Sequence, residues 1–132
     1  LIELIIVMVI LGIMAAVAVP RYLDSISNAE EAAEDAVISA IRSGLTQYAN
    51  NSLYESGRAE WPTNPFDALA EKPVGYSIDE SDADVDGEWT FSGGRITHQR
   101  ADNSRYEWSY DPGTQGGGDD AAIGTLGQRT AL

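Results

Sequence analysis

The chain of 132 residues contains no cysteine, one histidine and one lysine. The missing cysteine excludes disulfides, thiolate metal sites and thiol catalysis. Cations of any kind are scarce: Lys and Arg total 8 against 21 Asp and Glu, a formal net charge of −13. A surface of that sign repels phosphate, so neither nucleic acid nor an anionic lipid surface held by charge is an expected partner. Self-repelling solubility is what such a balance supplies. Catalytic signatures are missing as well. There is no G-x-S-x-G elbow, P-loop, H-E-x-x-H pair or C-x-x-C-H haem attachment. His98, the lone histidine, falls on the apolar side of a strand pattern, where a structural imidazole is the ordinary occupant. No enzyme is expected, and no catalytic residue is assigned.

What the chain does have is concentrated at its start. Leu4 to Val19 reads LIIVMVILGIMAAVAV, sixteen residues without a charge, and Leu1 and Ile2 extend it past Glu3. As a helix, Leu1 to Val19 is roughly 28 Å long at 1.5 Å per residue. That is close to the ~30 Å hydrocarbon layer of a bilayer. Three readings compete: a membrane helix, a cleaved secretory signal ending at Ala16-Val17-Ala18, and a buried core helix. A secretory signal carries Lys or Arg ahead of its apolar run, and here a carboxylate stands there. A core helix needs apolar partners on every side, which the remaining residues cannot supply. Membrane residence at some stage is the reading that fits. Glu3 sharpens it, because a charge in an apolar segment costs a few kcal/mol at the centre of the span and less near its end. Either headgroups solvate Glu3 or it awaits a cation from another molecule.

The segment LIELIIVMVILGIMAAVAVPRY resembles the N-terminal signature of type IV pilins and type II secretion pseudopilins. The likeness rests on Leu1-Ile2-Glu3-Leu4, Gly12, the alanine-rich stretch and Pro20, and it covers about 22 of the 132 residues. Members of that family begin with Phe-Thr or a similar pair before the matching Leu. The resemblance therefore implies that the sequence starts just inside the mature terminus. It further implies cleavage of a precursor by a membrane aspartyl peptidase, N-methylation of the new terminus, and a role for Glu3 in pairing with the amino terminus of a neighbouring subunit. Assembly residues on this reading are Leu1, Ile2, Glu3, Gly12 and Pro20. The implied partners are copies of the chain itself in a helical filament, the inner membrane before assembly, and the pilus or secretion machinery. The expected location is the inner membrane for the precursor and the cell surface for the fibre.

Beyond Pro20 the pattern turns amphipathic. Ile26, Ala29, Ala33, Val37, Ala40, Ile41, Leu45 and Tyr48 trace one helix face, and Asp24, Glu30, Glu31, Glu34 and Asp35 lie largely on the other. Asn50, Asn51, Ser52 and Gly57 mark the helix end. Asn64 to Leu69 can form one helical turn behind Pro65. Three strands are expected, Glu88 to Phe91, Arg95 to Gln99 and Arg105 to Tyr110, the first two joined across Ser92-Gly93-Gly94 as a hairpin. Their alternation places Trp89, Phe91, Ile96, His98, Tyr106, Trp108 and Tyr110 in one set. The fold class is thus α+β: a long N-terminal helix packed on a small antiparallel sheet of about three strands, pilin-like. The organisation is residues 1–20 as apolar membrane or filament-core helix, 21–56 as amphipathic helix, and 57–132 as a head with a Gly-rich tail.

One motif stays outside this scheme. Asp82, Asp84 and Asp86, followed by Gly87, match the D-x-D-x-D-G opening of a calcium loop. The twelfth position, which should supply a bidentate Glu, is Gly93. A solvated acidic turn is the expected role, with Ca²⁺ as the only candidate ion and no cofactor otherwise expected. The functional order is a structural subunit of a type IV pilus first, then a type II secretion pseudopilin of a periplasmic pseudopilus. A secreted acidic calcium-binding β module, cut free at Ala18, comes last. Gly12 and Pro20 also bracket a weak stretch of helix: Gly costs about 1 kcal/mol against Ala, and Pro20 lacks the donor for Ala16. The expected outcome in an assembled filament is a break in helical hydrogen bonding between Gly12 and Pro20. A density map resolving that stretch as continuous helix would refute it.

Overall fold

The computed structural model describes residues 1–78, 81–113 and 125–132. Helix α1 runs Ile2–Ser56. It is followed by a 3₁₀ turn, Pro65–Ala68, and five strands: β1 Trp89–Ser92, β2 Arg95–Gln99, β3 Arg105–Asp111, β4 Thr125–Leu126 and β5 Thr130–Ala131. In the single chain α1 passes through Pro20 without interruption. It stops where Gly57 takes φ 78° and its N–H donates to the Leu53 carbonyl at 2.9 Å, a left-handed glycine cap. The chain divides into two compact units, Leu1–Ala36 and Val37–Leu132.

Within the second unit the core forms between residues 37–56 of α1 and one face of the sheet. Ile38, Ile41 and Leu45 pack with Phe66, Trp89, Ile96, Trp108, Tyr110 and Leu126. The buried row of the helix is Ile38, Ile41, Leu45 and Ala49, while Tyr48 and Ala40 are exposed. The expected stripe is therefore corrected at several positions: Ile41 and Leu45 keep their place, Val37 is half-buried, Ile38 and Ala49 are buried in addition, and Ile26, Ala29, Ala33, Ala40 and Tyr48 are exposed. Two rows at three- and four-residue spacing overlap here, and the sheet selects the one whose small Ala49 fits. Glu34, expected on the solvated side, is fully buried.

The sheet is antiparallel with order β1-β2-β3-β4, and β5 also pairs with β3. Its β1–β2 turn is the two-residue Gly93-Gly94 link, with φ of 58° and 78°. Such values suit the primed turns whose twist matches a hairpin. Trp89 faces His98, Phe91 faces Ile96, Ile96 faces Trp108, and His98 faces Tyr106. Residues directly opposite share a face, so the aromatic set read from the alternation is assembled as one layer. Trp89 stacks on His98 at 4.2 Å and on Trp108 at 5.6 Å between ring centroids. Asn64 caps the 3₁₀ turn by accepting from the Phe66 N–H at 2.9 Å, and Phe66 is driven into the core.

The two short strands β4 and β5 fall in what reads as a Gly-rich tail, of which residues 114–124 lie outside the described residues. Leu126 pairs with Tyr110, and Thr130 with Glu107. Arg42 holds this return by donating to the Leu126 carbonyl at 2.9 Å and the Gly127 carbonyl at 3.0 Å. On the other side Tyr110 donates its hydroxyl to the Pro62 carbonyl. Burial pushes the Tyr110 phenol up from 10.0 to about 12, with Tyr48 and Asp111 adding to the rise. The fold thus favours the neutral phenol, so its contribution is complete below pH 10 and is lost as pH rises towards 12. Tyr110→Phe should lower stability by about 1–3 kcal/mol, the cost of a buried unsatisfied carbonyl. It should also flatten the decline above pH 10 in denaturant titrations; an unchanged alkaline slope would contradict the assignment.

Candidate assembly surface and acidic loop

The first unit carries the candidate surface. From Leu1 to Leu23 sixteen large apolar side chains are exposed, and every residue before Glu30 is exposed, Ile26 being the most covered of the large apolar ones. Isolated proteins rarely expose a contiguous apolar patch beyond a few hundred Å² unless it meets a membrane or another protein. The helix is long and apolar enough to cross a membrane. A helix is the form such a stretch must take in lipid, since every backbone group is then satisfied internally.

Glu3 sits in the first turn of α1, exposed, where its carboxylate complements the helix dipole. Leu1 and Ile2 flank it, also exposed. A methyl group built on Gly12 would meet nothing within 4 Å, so no packing inside the described chain calls for glycine there. Pro20 lies inside α1 and is exposed. Ile2, Glu3, Gly12 and Pro20 lie on α1, and Leu1 immediately precedes it.

Asp82, Asp84 and Asp86 form a different kind of structure. Asp82 accepts from Arg95 at 2.6 Å and from the Ser92 hydroxyl at 3.2 Å. Asp86 accepts from the Gln99 amide at 2.8 Å. Asp84 lies beside Glu88, whose carboxyl is lifted above its ordinary value by burial, with the Asp84 charge and hydrogen bond adding to it. The three carboxylates are turned to three separate partners instead of converging. Among the described residues no group of three metal-ligating side chains forms.

What the loop does is cover the second face of the sheet. Thr90 and Thr97 are fully buried on that face and hydrogen-bonded to each other. Ala83, also fully buried, lies on them and donates its N–H to Thr97 Oγ1 at 2.8 Å. Arg95 clamps the arrangement, with Asp82 at 2.6 Å and Glu107 at 2.7 Å. Only Ala83 of the loop's apolar residues is buried against the sheet, since Val85 is exposed. Sequence reasoning missed the role, although Ala83 between two acids was its one visible sign.

Compared with known proteins, the chain is similar to the type IV narrow pilus major component PilA5 of Thermus thermophilus. The two are 54% identical over 43 residues, which is 33% of this chain and 37% of the relative. In those residues the chain is type IV pilin-like. Together with the long apolar helix and the antiparallel sheet, this supports the resemblance read from the first 22 residues. No family model matches the chain, and no solved structure does.

Because the Arg95 pairs are about one-third exposed, each is worth at most about 1 kcal/mol. Arg95→Ala removes both pairs and should therefore cost at most about 2 kcal/mol in urea melts of the detergent-solubilised chain, yet speed amide exchange at Ala83. Unchanged exchange there would show that the strap is held without the clamp.

Proposed function

We propose that the chain is a structural subunit of a type IV pilus, built into a helical fibre by packing the apolar segments of α1 against one another. The observation that carries this is a helix with sixteen large apolar side chains, none of them covered by the chain itself. Covering a side chain of that size is worth about 1.5–3 kcal/mol, so the segment amounts to a driving force in the tens of kcal/mol before entropic costs. Bilayer lipid supplies that cover to the precursor, and neighbouring helices supply it in the fibre. An identical contact repeated without closure gives a filament. The likeness to a pilus component supports the pilus ahead of a periplasmic pseudopilus. The divergent partners of Asp82 and Asp86 give the calcium-module reading no support. Nothing in this role requires catalysis.

Glu3 then sets register. Once neighbouring helices exclude water, a carboxylate and a cation attract strongly, and a Glu3 left without one is costly. Glu3→Ala should enter membranes as the parent does while filament yield falls at least tenfold. Normal yield would remove the register role.

The test of the function itself is electron microscopy of fibres sheared from the source cells, with intact-mass analysis of their subunit. Long surface fibres whose subunit retains the apolar segment support a pilus. Short fibres confined to the periplasm would favour the pseudopilus. A soluble protein starting at Val19 would overturn both.

A further inference from the structure

Charge is distributed in this molecule in a way that singles out one residue. Seven of the eight cations have partners within residues 37–132. Arg42, Lys72 and Arg105 donate to backbone carbonyls. Arg58 and Arg95 face carboxylates. Arg100 and Arg129 lie over the rings of Tyr106 and Trp108. Arg21 alone, exposed at the foot of the apolar segment, has no ion pair, hydrogen bond or ring contact among the described residues. It does not pair even with Asp24, three residues on.

The stretch that follows Arg21 has the opposite character. Residues 22–36 carry five carboxylates and no cation. Glu34 is buried, which leaves Asp24, Glu31 and Asp35 as the exposed acids and Glu30 half-exposed. Like helices laid side by side would repel along this stretch. They attract if one is shifted along its axis, so that Arg21 of one copy lies beside the acids of the next. At 1.5 Å per residue the shift that achieves this is about 4.5 Å for Asp24 and about 21 Å for Asp35.

We infer that Arg21 is the intersubunit cation of the fibre, taken by a carboxylate between Asp24 and Asp35 of a second copy. The inference rests on the filament reading above and adds the contact that favours a staggered packing over an even one. Arg21 directly follows Pro20, at the rim of the surface that packing dries. There a guanidinium without a counter-charge is penalised and a paired one is strengthened. Arg suits the place, since its planar fork binds carboxylate through two hydrogen bonds. The other source of anionic oxygen at that height is a lipid phosphate, and the experiment separates the two.

Full-length precursors carrying Arg21→Glu are expressed in cells lacking the parent gene, and chain in the membrane fraction and in sheared fibres is quantified. The expected result is an unchanged membrane fraction with fibre yield down at least tenfold. Adding Asp24→Arg or Glu31→Arg to that variant should restore yield to within about threefold of the parent. Parent-like yield from Arg21→Glu, while the parent itself forms fibres, overturns this inference alone. Loss of Arg21→Glu from the membrane fraction overturns it in favour of a lipid headgroup. Absence of fibres from the parent overturns the filament reading, and this inference with it.

Discussion

The governing constraint is an apolar helix surface that the chain cannot cover by itself. Every large side chain from Leu1 to Leu23 is exposed, and hydrophobic free energy on that scale does not go unspent in water. The chain therefore has to be read as part of something larger, whether bilayer or assembly. Other features follow from this. Glu3 and Arg21 become conspicuous because they are the charges at the two ends of the surface.

The second unit, by contrast, buries an apolar core of its own. Its sheet is covered on both faces by different means: the helix residues Ile38, Ile41 and Leu45 on one, and the Ala83 strap on the other. Both covers are fixed by cations turned inward, Arg42 onto the returning tail and Arg95 onto Asp82 and Glu107. The consequence is an outward field dominated by carboxylate. Heads of that kind repel one another in solution.

Much of the fold was legible in the residues. The aromatic alternation over Trp89 to Tyr110, the Gly93-Gly94 turn and the Asn64 cap each follow a local rule that the structure obeys. The apolar segment was legible for the same reason, since an unbroken run needs no partner to be recognised. The acidic loop was not. Its acidic spacing gave no sign of the contacts that Ala83 makes with Thr97 and Asp82 with Arg95. The last strands were missed because two residues each, in glycine-rich surroundings, carry no periodicity to detect.

By itself the sequence determined that the chain has a membrane-length apolar helix, an acidic head and no cysteine. These follow from composition and short-range pattern, which act through neighbours along the chain. Tertiary structure decided which row of residues 37–56 packs on the sheet, that the tail returns to β3, and that seven cations find partners within residues 37–132 while Arg21 has none among the described residues. Each of those depends on groups far apart in sequence meeting in space, as Arg42 meets Leu126. Pairings of that kind are chosen by the competition between desolvation and partner geometry, which no local pattern encodes.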